Sequence, residues 1–158
     1  MKHWTYAPFA LLTLMFSAPV LADSDHERLK APDLPLYRQE CASCHTAYPP
    51  GMLPAASWRR VMGSLDKHYG SDAAVDATTL DKLNRYLLAH AANSGSKYGR
   101  EQPPEDRITR AAWFKREHDE VRADVWKRAP IKSAANCAAC HPGADKGDFN
   151  EHAVRIPR

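Results

Sequence analysis

Apolar residues along the chain recur at helical spacing, and the pattern reads as helices and little else. Tyr37 to Cys44 is expected to form a short helix, and Pro49, Pro50 and Pro54 then enforce a loop. Ser57 is placed to cap a helix whose apolar face runs Trp58, Val61, Met62 and Leu65 and continues through His68 and Tyr69 to a stop at Gly70. A second helix is expected from about Asp76 to Ala92, with Leu80, Leu83 and Leu87 on one face and His90 continuing it. A third starts near Thr109 and carries Phe114, His118, Val121 and Val125 on its apolar face, with Trp113 beside it, until Pro130 bars continuation.

The ends of the chain change the picture. Lys2 and His3 precede a mostly apolar run from Ala7 to Phe16, and Val20-Leu21-Ala22 supplies small residues for cleavage, the pattern of a secretory signal peptide. The run falls short of the ~20 residues that span a bilayer, and Pro19 breaks the stretch just after it. Residues 1–22 are therefore expected to be removed, and a mature chain of 136 residues to be exported. Residues 23–36, with Pro32 and Pro35, form an irregular lead-in. The polar connector from Lys97 to Arg107 separates an N-terminal lobe, 23–99, from a C-terminal lobe, 100–158.

At 158 residues the chain is too short for a multidomain enzyme. Lys and Arg outnumber Asp and Glu by 22 to 19, too narrow a margin to argue for nucleic acid. Four cysteines in an exported chain would ordinarily mean two disulfides. Here all four fall into two copies of one pattern, Cys41-Ala42-Ser43-Cys44-His45 and Cys137-Ala138-Ala139-Cys140-His141. C-x-x-C-H is the c-type haem attachment signature: two thiols spaced to add across two vinyl groups, and an imidazole placed to take the iron. A four-cysteine zinc site would have no need of a histidine after both pairs, and a thioredoxin-like pair would need strands that do not precede either motif.

Only 17 residues follow His141, so a second class I cytochrome domain, which would need roughly a hundred, cannot fit there. The second haem must be covered from upstream, by the helix carrying His118, together with the tail Pro142 to Arg158. The sixth ligand on each iron decides between electron transfer and chemistry. Candidates are His26, His68, His90, His118, His152, Met52 and Met62. His68 lies 23 residues after His45, and His118 lies 23 residues before His141, both on apolar helix faces; these two are the expected distal ligands. A lone histidine on such a face is usually a core residue, and it is the demand of two irons that shifts the choice. His90 is the main rival, His152 sits in a tail near the second haem, His26 lies in the lead-in, and Met52 and Met62 read as loop and core filling.

Two stretches, Leu34 to Gly70 and Arg107 to Arg158, resemble the bacterial dihaem cytochrome c family, most specifically in CASCH, in WRRVM…LDKHYG, in RITRAAWFKREH and in NCAACHPGADKGDF…VRIPR. The resemblance implies a mainly α fold with a class I-like N-terminal lobe, an unusual small helical C-terminal lobe, and two bis-histidine haems in a small periplasmic electron carrier. It makes Cys41, Cys44, Cys137 and Cys140 the thioether positions, His45 and His141 the proximal ligands, and His68 and His118 the distal ones. It also implies a membrane cytochrome b as donor and a small oxygen-binding cytochrome c as acceptor.

Histidine in place of methionine lowers the potential of such an iron, and filled axial positions leave none for oxygen or peroxide. Single-electron transfer rather than catalysis is therefore expected. A haem enzyme or gas sensor would follow instead if His68 or His118 were merely structural, and the dihaem subunit of a periplasmic nitrate reductase is a further alternative. Arg107, Arg110, Lys115, Arg116, Lys127, Arg128, Lys132, Arg155 and Arg158 make the C-terminal half basic, suited either to an acidic partner or to haem propionates.

Overall fold

The computed structural model describes Leu29 and residues 31–158. The signal peptide and His26 lie outside the described residues. Among the described residues four α-helices, α1 (Pro35–Cys41), α2 (Ala55–Met62), α3 (Ala77–His90) and α4 (Ala112–Glu117), are joined by 3-10 turns. Among the described residues there is no strand, only isolated bridges such as Pro54 with Ala92. The fold is mainly α, as the apolar spacing predicts. No helix among the described residues is long and apolar enough to cross a membrane.

The longest helix is also the one read most closely from the sequence. Asp76 caps α3, its carboxylate accepting hydrogen bonds from the backbone N–H groups of Thr78 and Thr79. Leu83 and Leu87 bury completely on the face turned toward α2. From α2 come Trp58 and Met62, and the 3-10 turn Pro50–Met52 adds Met52. The indole Nε1 of Trp58 donates to the Pro50 carbonyl at 2.7 Å, pinning that turn to the helix. One buried cluster extends from Leu29 and Tyr37 through this pair of helices to Tyr98, Ile108, Trp113 and Phe114.

Three helix expectations are corrected. Helix α1 starts at Pro35 and ends at Cys41, so Cys44 lies in the following turn. Helix α2 is capped at Pro54, with Ser57 buried inside its first turn, and it stops at Met62 rather than running to Tyr69. Gly63 closes it, and the Ser64 hydroxyl donates to the Arg60 carbonyl, taking an acceptor the next turn would use. His68 consequently sits at the end of a separate 3-10 turn, Leu65–Lys67. The third helix is only α4, six residues long. Its continuation is prevented by His118, whose ring Nδ1 lies 2.9 Å from the Phe114 carbonyl, the acceptor that the backbone N–H of His118 would need. The expected face residue Val125 falls instead in a later 3-10 turn, Val125–Lys127.

Candidate haem sites

Each cysteine motif presents its histidine from a short turn, and each histidine faces another from a distant segment. Cys41 closes α1, and His45 follows in the loop, with Nδ1 at 2.7 Å from the Thr46 carbonyl and its ring stacked on Tyr48 at 4.8 Å. His68 meets it with ring centres 6.1 Å apart and planes 24° apart. The position of His68 is held from behind. Tyr69 adopts a left-handed backbone (φ 51°), its hydroxyl donates to the carbonyls of Glu105 (3.0 Å) and Asp106 (3.1 Å), and the Arg107 guanidinium lies over its ring at 4.1 Å. Asp106 is in turn gripped by Arg60 of α2 through two hydrogen bonds, at 2.8 and 2.5 Å.

The second motif opens with the 3-10 turn Cys137–Ala139, and the His141 N–H donates to the Cys137 carbonyl at 2.8 Å. His118, one residue past α4, faces His141 with ring centres again 6.1 Å apart, but with planes 74° apart. Phe114 stacks on His118 at 4.1 Å, Trp126 flanks it, and Phe149 flanks His141. These rings line a largely apolar cavity that also takes in Cys137, Cys140, Met52, Val154 and Ile156. The tail is tied to the motif by the Arg155 N–H donating to the Cys140 carbonyl at 2.9 Å. The hydroxyl of Tyr48 reaches from the first motif's loop to the Ala135 carbonyl, two residues before Cys137, at 2.8 Å.

The other sequence candidates fall elsewhere. His90 packs against Tyr86 at the end of α3, His152 is exposed beside Glu151, and Met52 and Met62 are buried in the core cluster. None of the four cysteines is in a disulfide, and among the described residues no three His, Cys, Asp or Glu side chains gather as a metal cage, so the two cysteine pairs do not converge on one ion.

The sequence profile of the dihaem cytochrome c family matches residues 37–149. This chain belongs to that family. Among solved structures, a dihaem cytochrome c from Shewanella baltica OS155 shares 35% identity, with a TM-score of 0.69, over 80% of this chain and 95% of that one. The dihaem cytochrome c purified from Rhodobacter sphaeroides shares 41% identity, with a TM-score of 0.65, over 76% of this chain and 100% of that one. No curated protein sequence matches the chain.

As a dihaem cytochrome c the protein carries two c-type haems, and its residues fit them. With about 2 Å for each bond from a first-row metal to an imidazole nitrogen, and with the half-width of each ring added, two axial histidines stand about 6 Å apart centre to centre. Both observed pairs meet this spacing. At the second site Val154 and Ile156 are large apolar side chains left exposed beside the cavity they line. Uncovered apolar residues of this kind mark a place that something other than polypeptide fills.

Electrostatics favour neutral imidazoles with free lone pairs. Burial lowers the pKa of His68, helped by the neighbouring His45 and Arg107. Burial also lowers that of His141, helped by His118 and opposed by Asp148. Before haem attachment the thiols of Cys41 and Cys137 are pushed up to about 11, again mainly by burial.

Sequence reasoning missed the aromatic supports Tyr48, Trp126 and Phe149 and read Tyr69 only as a helix-face residue. Tyr48 three residues after His45, and Tyr69 next to His68, were visible signals, since an aromatic ring near a candidate ligand in sequence is a ready packing surface for it.

Proposed function

We propose that this dihaem cytochrome c is an exported, periplasmic single-electron carrier in which both irons are closed by two histidines, His45 with His68 and His118 with His141. When bound, each haem supplies a reversible one-electron couple. Cys41, Cys44, Cys137 and Cys140 anchor the groups through thioethers. The chain's own contribution is to hold four imidazoles in place, with burial favouring the neutral form of His68 and His141, to wall the second site with apolar side chains, and to occupy the positions an added ligand would take.

The observation that carries this reading is the equal 6.1 Å spacing of the two histidine pairs, each built from a motif histidine and one far away in sequence. Export is supported by the leader pattern of residues 1–22 and by two haem motifs of a type attached outside the cytoplasm. A membrane cytochrome b as donor and a small oxygen-binding cytochrome c as acceptor complete the proposed chain of transfer. The basic residues of the C-terminal half suit an acidic face on one of them.

Single substitutions test the ligation. His68→Ala and His118→Ala should each turn one of the two low-spin ferric haems high-spin and leave the other as it was. An unchanged optical spectrum in either variant would remove that histidine from the ligand set. Mixing the reduced protein with each proposed partner and following the absorbance of both proteins tests the pairing, with electron transfer slower than the carrier's own reoxidation counting against it.

A further inference from the structure

Resting on the bis-histidine reading, we infer that the two haems are electronically inequivalent because Tyr48 and Phe114 fix the axial imidazole planes differently, nearly parallel at the first site and nearly crossed at the second. The ring planes of His45 and His68 differ by 24°, and those of His118 and His141 by 74°.

Each plane is set by a neighbour rather than left to rotate. Tyr48 lies 21° from the plane of His45, and the Thr46 carbonyl fixes the direction of His45 Nδ1. Tyr48 is itself anchored through its hydroxyl to Ala135. Phe114 lies 20° from the plane of His118 at 4.1 Å, and its own carbonyl holds His118 Nδ1 at 2.9 Å. His141 instead leans on Phe149 at 57°, which turns it across His118. Hydrogen bonds and packing of this kind orient metal-bound imidazoles.

The consequence comes from orbital symmetry. An axial imidazole donates π density into the iron d orbital perpendicular to its plane. Two parallel rings raise the same orbital, split the d pair and quench orbital angular momentum. Two crossed rings raise one orbital each, leave the pair nearly degenerate and preserve that momentum. Parallel planes therefore give a resolved rhombic low-spin ferric resonance, and crossed planes a strongly anisotropic one dominated by a single low-field feature.

The test is low-temperature electron paramagnetic resonance of the fully oxidised two-haem protein, with spin quantitation. One rhombic and one strongly anisotropic low-spin signal of equal intensity is the expected result. Two low-spin signals of the same class would overturn the inference while leaving bis-histidine ligation standing, whereas a high-spin signal would overturn both. Two variants test the positioning residues. Tyr48→Leu should shift or broaden only the rhombic signal, with Tyr48→Phe, which keeps the ring but loses the bond to Ala135, shifting it less, and Phe114→Leu should lose the anisotropic signal alone. Parent-like spectra in both leucine variants would show that these rings do not set the planes. Because Phe114 is buried and its variant can fail to mature, the parent spectrum and the half-buried Tyr48 carry the test independently.

Discussion

Removing one hydroxyl from Tyr69 should loosen His68 without touching it. Tyr69 holds a left-handed backbone conformation (φ 51°) that costs a non-glycine residue roughly 1–2 kcal/mol. That strain is met by a strap on the far side. Its hydroxyl donates to the Glu105 and Asp106 carbonyls, and Arg107 covers its ring. Tyr69→Phe keeps the ring and the cation–π contact but deletes the hydrogen bonds. A net intramolecular hydrogen bond is worth about 0.5–1.5 kcal/mol, and because Tyr69 is 43% exposed, water can replace part of it. A loss of about 0.5–1 kcal/mol raises the population with His68 swung away by roughly two- to fivefold. With His68 closing the first iron as proposed, cyanide should enter only while His68 is off and so report that population directly. The initial rate of cyanide uptake by the ferric protein should rise two- to fivefold at the first haem and stay at the parent value at the second. A parent-like rate at the first haem would show that the Tyr69 strap does not hold His68.

Other perturbations probe the frame beneath the sites. Trp58→Phe removes the shorter of two hydrogen bonds to the buried Pro50 carbonyl, leaving the one from the Leu53 N–H at 3.4 Å, and removes part of a buried ring, so it should cost about 1–3 kcal/mol in urea unfolding. Gly99→Ala places a Cβ 2.1 Å from the Asn93 backbone oxygen, which has no side-chain freedom to yield, and thermal unfolding should show a loss of about 1–3 kcal/mol or more. Asp76→Ala should fray the start of α3, seen as faster amide exchange at Thr78 and Thr79. Hydrogen bonds from Thr79 and Thr78 hold the Asp76 carboxyl below its ordinary value of 3.8, so its stabilising effect is full above the unfolded pKa and vanishes as pH falls through the lower folded one. The stability gap between parent and Asp76→Ala should therefore close only in acid below that ordinary value.

The chemistry was more legible in the sequence than the local structure that delivers it. Cys41-x-x-Cys44-His45 and Cys137-x-x-Cys140-His141 carry their meaning in covalent spacing, which no tertiary context can alter. Helix α3 was equally plain, because Leu83 and Leu87 repeat at its period and Asp76 begins it. The segments that carry His68 and His118 were harder to read. The apolar spacing through Leu65 to Tyr69 and through Phe114 to Val125 continues past the points where the helices end, since side-chain hydrogen bonds of Ser64 and His118 compete with the backbone ladder there. The two histidines reach the expected vicinity from broken turns instead of helix faces. Their aromatic supports depend on long-range geometry: Tyr48 bonds across 87 residues of sequence to Ala135, which no local pattern announces.

The measurement that bears most directly on the central claim is the optical spectrum of the reduced, mature protein before and after mixing with carbon monoxide, alongside a haem count. Bis-histidine closure at both sites predicts two haems per chain and low-spin bands that carbon monoxide leaves unchanged on mixing. A prompt carbon monoxide complex at either haem would contradict the account, and would place an open iron where His68 or His118 is proposed to close it.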